Sequence, residues 1–327
     1  MRRSRVIFST LPLVLATAIA TADLQLPADI TTFADGRKPI EELYQAYTSL
    51  LQRGWQLDII VQSQPAGTDY ALPIIALRSP HPGDAVWILA GIHGEEPAGP
   101  NAIAASIDAI AELGAKRAVV LLPLNNPQGY ARNWRYLNMP VYSAEVEGQS
   151  VGDSSYLLID PEHPVSNDLG HARAAAASSP EAQAITQYVL AQAASYPPAY
   201  SIDLHEDNLI SEGYVYSQGV LGAEDPLAKT AVGVLQENHI PLKASGETRF
   251  GEPVSNGIIG PVVDGSIDEL ISAPQVVVDG KIQPGPGAHT VLVFETPAGQ
   301  IDLKTRIAAH TALLHELARE LAQKETE

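Results

Sequence analysis

The sequence contains no cysteine and few basic residues, and both absences limit what the chain can do. Without cysteine among its 327 residues, it can form no disulfide, no thiolate metal site and no lipidated N-terminal cysteine. Lys and Arg number 20 against 38 Asp and Glu, which gives a net charge of −18. A chain this acidic repels phosphate backbones and anionic lipids, so we expect no nucleic-acid partner. Any metal must be held by His, Asp or Glu.

Long apolar segments are also missing, except within residues 1–22. Three arginines among the first five residues precede an apolar run at 6–20, and residues 20–22 have the small-x-small pattern of a cleavage site. This order is typical of a secretory signal peptide. The run is short of the roughly 20 apolar residues that a membrane span needs, which favours cleavage near Ala22 over an uncleaved anchor. We therefore expect a periplasmic or secreted protein, with no stable membrane anchor and a catalytic domain at 23–327.

Strand-like and helix-like segments alternate along the rest of the chain. The predicted strands are 57–61, 72–77, 86–92, 119–124, 200–204 and 290–294, and the predicted helices are 40–53, 97–113, 180–194, 226–238, 264–271 and 303–323. Such alternation predicts a single α/β domain with a mostly parallel sheet covered by helices on both faces. Residues 130–180, which proline and glycine interrupt repeatedly, are predicted to form a long excursion with functional potential.

Polar residues stand at the ends of three predicted buried strands. His93, His205 and Glu295 each follow such a strand directly. Active sites of open α/β sheets form at the carboxyl edge of the strands, so we expect these residues to converge. His93 and Glu96 are three residues apart, so one turn can aim both at a single ion, whereas Glu95 is predicted to point elsewhere. His205 can complete the three protein ligands of a catalytic zinc site.

Further polar groups could serve the same site. Glu295 ends a buried apolar strand, where a carboxylate is costly without a partner or a purpose, and it can act as a general base and acid. Arg135 follows the turn at 126–129 and can stabilise a developing oxyanion. Asp203 can orient a ligand, and the acidic pair at 206–207 would suit a cation. Each residue taken alone also fits a structural explanation, such as a solvated histidine, a surface arginine or a capping glutamate.

The ordered set of segments resembles the zinc carboxypeptidase superfamily, including its succinylglutamate desuccinylase and aspartoacylase branch. The set consists of His-Gly-x-Glu at 93–96, Asn-Pro-x-Gly-x5-Arg at 126–135, His205 at a strand end, and Phe-Glu-Thr-Pro at 294–297. The resemblance spans about residues 56–300. It implies a mixed, mostly parallel eight-stranded sheet between helices.

The resemblance also implies roles for individual residues. His93, Glu96 and His205 would bind one Zn2+ ion. Glu295 would activate the metal-bound water and then protonate the leaving amine, while Arg135 would bind the substrate and polarise its scissile carbonyl. The implied activity is that of a metallocarboxypeptidase or amidase that cleaves a peptide or amide bond, on cell-wall or other short peptides.

The sequence departs from the family where carboxypeptidases hold the terminal carboxylate of the substrate. The expected Asp-x-Asn-Arg segment is missing, and residues 151–156 stand in its place. Arg132, Arg173 or Arg249 could supply the cation instead. The substrate-binding tyrosine expected shortly before the Gly-Ser-Ile-Asp segment at 265–268 is also absent. A strictly C-terminal exopeptidase is therefore only one of several readings.

Other functions remain open on the sequence alone. One is an acyl-amino acid deacylase of the desuccinylase kind, and another is a catalytically silent protein that binds ligands at a zinc site. Aspartoacylase-type proteins usually carry a β-rich domain after the catalytic glutamate, whereas the 32 residues after Glu295 are predicted to be helical, so we expect the carboxypeptidase-like architecture. No Gly-x-Ser-x-Gly motif supports a serine hydrolase. The expected partner is a small peptide or acyl-amino acid substrate, and the oligomeric state is left open.

Overall fold

The computed structural model describes residues 26, 33–64, 67–137, 179–262, 264–278 and 281–323. The predicted signal peptide and most of the predicted excursion at 130–180 lie outside these ranges. None of the helices in the described ranges is long and apolar enough to cross a membrane.

The described ranges contain helices and strands in mixed order. The helices are α1 (Ile40–Thr48), α2 (Ala98–Ala105), α3 (Ile107–Gly114), α4 (Pro127–Arg132), α5 (Pro180–Gln192), α6 (Pro226–Glu237), α7 (Ile267–Ser272) and α8 (Leu303–Leu321). The strands are β1 (Gln56–Ser63), β2 (Leu72–Arg78), β3 (Ala85–Ala90), β4 (Ala118–Leu122), β5 (Pro198–Asp207), β6 (Tyr214–Ser217), β7 (Ser245–Glu247), β8 (Pro253–Ser255), β9 (Ile258–Ile259), β10 (Gln275–Val278), β11 (Lys281–Pro284) and β12 (Thr290–Pro297).

One mixed sheet organises the domain, in the order β1-β2-β4-β3-β5-β12-β6-β9-β8-β7. The central strands β4, β3, β5 and β12 are parallel, and antiparallel pairs lie towards both edges. The predicted α/β class with a mixed sheet is confirmed. The implied number of eight strands is wrong for the described residues, because the sheet has ten. The short β7–β8 hairpin extends it at one edge, and β10 and β11 form a separate hairpin.

Helices cover both faces of the sheet, and the side chains of β3 show why. Val86 and Ile88 belong to a cluster with α1, α2 and α8, whereas Trp87 and Leu89 pack in a cluster with α5 and α7. Successive side chains of a strand point to opposite faces, so both sets are buried. A strand covered on both faces needs a continuous apolar run, which is the pattern that predicted β3.

Several predicted elements differ from the structure in their bounds, among them one helix and two strands. The predicted helix at 97–113 is two helices, because the Ser106 N–H bonds to Ile103 O (3.0 Å) only three residues back and the chain restarts there. The two strands predicted to stop before His205 and Glu295 continue past them. These two residues are paired in register between β5 and β12, so the strand pairing itself runs through the candidate site.

Candidate metal centre

A tight turn after β3 presents His93 and Glu96. The Glu96 N–H bonds to His93 O (3.2 Å), and this turn places His93 Nδ1 2.6 Å from Glu96 Oε1. Gly94 lies against the backbone of the next loop, where an added Cβ would be 2.1 Å from the carbonyl carbon of Gly129. Only glycine fits such an approach. The glycine next to His93 therefore locks the turn onto the loop that carries the Asn-Pro-x-Gly segment.

Strand pairing brings His205 to the same place. Its Nδ1 atom is 3.2 Å from His93 Nδ1 and 3.2 Å from Glu96 Oε2. All three residues are buried, and their candidate ligand atoms lie within 4.8 Å of one another. The three residues predicted to bind metal thus form one cluster at the carboxyl edge of the parallel strands, as the sequence indicated.

The charged groups of the cluster shift one another's pKa values. Burial alone would raise the pKa of Glu96, but His93 and His205 hold it well below its usual range. Burial would lower the pKa of His205, but Asp203 and Glu96 raise it well above the ordinary value. A buried carboxylate that stays ionised beside two imidazoles supplies, together with them, several ligand atoms suited to a cation.

Two more carboxyl groups lie behind His205. Asp203 Oδ2 is 3.2 Å from His205 Nε2, and Asp203, His205 and Asp268 form a second close group of buried candidate ligand atoms. Burial, with the charge of Asp203, raises the pKa of Asp268 well above its usual value. The contact of Asp203 with His205 Nε2 places Asp203 to orient His205, as predicted. Asp268 was not predicted, although it ends the Gly-Ser-Ile-Asp segment.

Glu295 faces the cluster from the neighbouring strand. It is in register with His205 on one side and with Tyr214 on the other, so the three side chains share one face of the sheet. Its Oε2 atom is enclosed and has no hydrogen-bond partner among the described residues. Burial, reinforced by Glu96 and Asp207 and opposed by His205, raises the pKa of Glu295 to about 7. At neutral pH this carboxyl can accept or release a proton.

Arg135 reaches the cluster from the loop after α4. Its carbonyl oxygen accepts hydrogen bonds from Gly94 N (3.2 Å) and Asn126 Nδ2 (3.0 Å), which fix the backbone. Its Nη1 atom is 3.0 Å from Glu96 Oε1 and 3.7 Å from Glu95 Oε1. Glu95 lies outside the cluster of candidate ligand atoms, and its carboxylate contacts Arg135 instead. Asn126 holds the backbone of this loop in place, which is the structural role that the turn at 126–129 indicated.

The acidic pair at 206–207 divides between the two faces of the sheet. Asp207 shares the face of His205, whereas Glu206 is buried on the opposite face in an ion pair with Arg306. Glu206 also accepts a hydrogen bond from Ala98 N (2.6 Å) at the start of α2. The prediction that both acids suit a cation at the site is wrong for Glu206, whose charge is already balanced.

The arginines proposed to replace the missing cation have different surroundings. The Arg132 Nε atom donates to Gln128 O (3.1 Å) in its own helix, and Arg173 lies outside the described residues. Arg249 forms an ion pair with Asp207, on the face that carries His205 and Glu295. Of the two that lie in the described residues, Arg249 is the one that the structure brings to this edge of the sheet.

One segment of the chain matches a known protein family. A family model described as the succinylglutamate desuccinylase/aspartoacylase catalytic domain matches residues 82–144, the segment that carries His93, Glu96 and Arg135. No curated protein matches the chain.

Solved structures extend the similarity to most of the chain. A candidate metallopeptidase from Shewanella amazonensis is 23% identical, with 87% of this chain and 94% of that chain covered and a TM-score of 0.66. A candidate metallopeptidase from Shewanella baltica is 22% identical, with 86% and 92% covered and a TM-score of 0.64. Carboxypeptidase A from Helicoverpa armigera is 14% identical, with 90% and 76% covered and a TM-score of 0.53. These likenesses confirm the fold, and with the matched segment they confirm the resemblance to the zinc carboxypeptidase superfamily.

Proposed function

We propose that the protein is a zinc-dependent hydrolase that cleaves a peptide or amide bond. The observation that carries the proposal is the buried cluster of His93, Glu96 and His205, with Glu295 and Arg135 directed at it from two other elements. The fold, shared with metallopeptidases, supports the same conclusion. A metal site that only stabilised the fold would not need the carboxyl of Glu295 and the guanidinium of Arg135 beside it.

The donor atoms fit zinc. Two nitrogen atoms bound to one tetrahedral zinc at about 2.0–2.1 Å lie about 3.3 Å apart. The two Nδ1 atoms of His93 and His205 are 3.2 Å apart, and each faces a carboxylate oxygen of Glu96. Two imidazoles and one carboxylate form a common ligand set of catalytic zinc sites. Zinc held there would supply Lewis acidity, which polarises a carbonyl and makes water easier to deprotonate.

Glu295 is the group placed to move protons in this reaction. Burial raises the pKa of this carboxyl above its usual value and a nearby cation would lower it again, so the group can take a proton from water and return that proton to the leaving nitrogen as the C–N bond breaks. Its enclosed Oε2 atom has no competing partner among the described residues. This is the role that the resemblance implied.

Arg135 is the group placed to stabilise negative charge on the carbonyl oxygen. Its guanidinium lies beside Glu96, and its backbone is fixed by the loops that form the metal cluster. A fixed cation aimed at a developing oxyanion needs little reorganisation during the reaction. Arg135 would therefore bind the substrate and assist the reaction through the same contact.

Two substrate classes remain, and the family match gives the second a specific basis. Short peptides, cell-wall peptides among them, suit the carboxypeptidase-like fold and the export that we propose from residues 1–22. Acyl-amino acids suit the segment at 82–144, which matches the desuccinylase and aspartoacylase model. Both reactions break a C–N bond at an acyl carbon, so the proposed machinery serves either.

The test combines metal analysis with hydrolysis assays. The purified protein should contain about one zinc per chain, since three protein ligands make one site. It should hydrolyse members of a panel of cell-wall peptides, dipeptides and acyl-amino acids. His205→Ala should lose both zinc and activity. Glu295→Gln should keep zinc and lose activity by about 10²- to 10⁴-fold. His315→Ala, an exposed change in α8, serves as the control.

Several outcomes would contradict the proposal. Full activity in Glu295→Gln would refute the assigned proton transfer. A protein that binds no zinc would refute the metal centre. Bound zinc without hydrolysis of any panel member would instead support a catalytically silent binding protein.

A further inference from the structure

The segment at 33–39, which precedes α1, contacts the loop that carries Arg135. Arg37 donates a hydrogen bond from Nη1 to Tyr130 O (3.3 Å) and another from Nη2 to Asn133 Oδ1 (2.7 Å). Both acceptors belong to the C-terminal end of α4, and Arg135 lies two residues beyond Asn133. One guanidinium therefore ties the end of α4 to a part of the chain that is distant in sequence.

The side chain of Arg37 is itself firmly held. It is buried, and its charge is balanced by Asp35, whose Oδ2 atom accepts a hydrogen bond from Arg37 Nε (2.7 Å). Its Cζ atom lies 4.4 Å from the ring centroid of Phe33 and 5.2 Å from that of Tyr130. Contacts with two rings and hydrogen bonds to three acceptors hold a planar guanidinium in one orientation. Arg37 is therefore a rigid support for the groups that it contacts.

The end of α4 requires such a support, because the chain reverses there. Asn133 has a φ of +52°, in the left-handed region that residues other than glycine seldom adopt. The last four carbonyl groups of a helix have no partner within the helix, and Tyr130 O is one of them. Arg37 binds this carbonyl and the Asn133 side chain together. It thus stabilises the reversal that leads the chain back to the metal cluster.

The position of Arg135 depends on this reversal. The hydrogen bonds from Gly94 and Asn126 hold its carbonyl oxygen, whereas Arg37 acts on the residues that lead into it from α4. The Arg135 guanidinium lies 3.0 Å from Glu96 Oε1, beside the proposed position of the scissile carbonyl. A displacement of about 1 Å in a positioned group can lower a reaction rate about 10²-fold. A change at Arg37 is therefore expected to reach the reaction through Arg135.

We propose that Arg37 is a positioning residue for Arg135. It fixes the end of α4 so that the Arg135 guanidinium is held where negative charge develops on the carbonyl oxygen of the substrate. This inference rests on the proposed hydrolase function, and it extends the machinery of that function to a segment outside the sheet and its metal cluster.

The segment at 33–39 has other contacts that remain when the Arg37 side chain is replaced. Lys38 N donates to Asn101 Oδ1 (2.9 Å), and Tyr130 OH donates to Lys38 O (2.7 Å). Replacing Arg37 should therefore loosen the end of α4 without releasing the segment, so we expect the variants to fold.

The experiment measures kcat/KM of the zinc-loaded variants with the best substrate of the panel. Arg37→Met keeps an apolar side chain of similar length but has no donor, and it should lower kcat/KM about ten- to a hundredfold. Its zinc content should equal that of the original protein, because the change acts on α4 and leaves the three ligands in place. Arg37→Lys keeps the charge but not the forked donor, so its kcat/KM should lie between the two.

A double variant and a matched control separate positioning from general loss of structure. Arg135→Gln should lower kcat/KM about 10²- to 10³-fold, and adding Arg37→Met should lower it little further, because Arg37 acts through the missing group. Arg78 in β2 is also partly buried, donates to Asp58 (2.6 and 3.0 Å) and lies over the Tyr196 ring. Arg78→Met should lose stability and keep kcat/KM. Independent, multiplying effects of Arg37→Met and Arg135→Gln would overturn the inference.

Crystal structures make the test independent of any hydrolysis. The Arg135 guanidinium should lie about 1 Å or more from its original place beside Glu96 in Arg37→Met, and it should be unmoved in Arg78→Met. An unmoved guanidinium in Arg37→Met, or hydrolysis with an unchanged kcat/KM, would overturn the inference alone. A displaced guanidinium in a protein whose original form hydrolyses no member of the panel would contradict the hydrolase function alone.

Discussion

Replacing Glu295 with Gln should stabilise the metal-free protein at alkaline pH while removing the hydrolysis that we propose. Glu295 lies between His205 and Tyr214 in neighbouring strands, and its Oε2 atom is enclosed without a hydrogen-bond partner among the described residues. Burial, with the charges of Glu96 and Asp207, raises its pKa to about 7. The ionised form is therefore held at a free-energy cost, which a neutral amide of the same shape avoids.

The size and sign of the effect follow from proton linkage. A carboxyl whose pKa rises from its ordinary value of 4.5 to about 7 on folding binds more protons in the folded chain between those values. The free energy of unfolding therefore falls as pH rises through this window, by about 3 kcal/mol at most, since one pKa unit is about 1.4 kcal/mol. Glu295 is partly accessible to solvent, so we expect about 2 kcal/mol between pH values near 5 and near 8.

The assay is urea unfolding of the original protein and Glu295→Gln, both stripped of metal by a chelator. Relative to the original protein, the variant should be more stable near pH 8 than near pH 5 by about 2 kcal/mol. Zinc should shrink this difference, because a nearby cation favours the ionised carboxyl and lowers its pKa. The pH dependence therefore reports the environment of Glu295 independently of catalysis.

A stability difference between the two proteins that is the same at both pH values would refute this reasoning. Glu237→Gln is the matched control, because Glu237 is an exposed glutamate at the end of α6. It should show no such pH-dependent difference from the original protein.

Three further changes test other parts of the structure by urea unfolding. Burial lowers the pKa of His310 to about 3, so this histidine should cost the original protein about 2 kcal/mol of stability as pH falls from near 7 to near 5, a loss that His310→Gln should remove. Gly94→Ala should cost about 1–3 kcal/mol and weaken zinc binding, because its Cβ would meet the backbone of Gly129. Arg306→Met should cost about 3–5 kcal/mol, because Glu206 would be left buried without its partner.

Each of these changes has its own control. An unaltered loss of stability on acidification in His310→Gln would show that His310 is not the group that titrates. Gly260→Ala adds a Cβ with no atom within 4 Å, so it should lack the effects of Gly94→Ala. The double variant Arg306→Met/Glu206→Gln should recover most of the stability lost in Arg306→Met. No recovery would contradict the assignment of the cost to an unpaired charge.

The candidate metal cluster was predictable because each of its parts has a strong local signal. His93 follows a continuous apolar strand, and two glycines mark the turn that carries it. Parallel strands place their carboxyl ends on one edge, so the convergence of His93, His205 and Glu295 needs no knowledge of the loops. The central strands β3, β5 and β12 were also predictable, since burial on both faces demands an apolar run.

The outer part of the sheet and the rim of the site were not predictable in the same way. Strands β7, β8 and β9 have only two or three residues each, and every residue of β7 is exposed, so no apolar run marks them. Arg249 gave no signal beyond its charge, because its position depends on the hairpin and on its contact with Asp207. Tertiary context, which a single sequence does not display, decides such short elements.

Glu206 and Asp207 lie on opposite faces of the sheet, and a correct prediction of where β5 ends would have separated them. Ending the strand at residue 204 makes both acids loop residues, and a loop imposes no alternation on its side chains. Extending the strand through Asp207, as the structure does, imposes a period of two. That period sends Asp203, His205 and Asp207 to the site and sends Glu206 to Arg306 beneath α2. The position of a strand's last residue therefore determines which charges a site contains. The sequence analysis assigned both acids to the site because it ended β5 at residue 204.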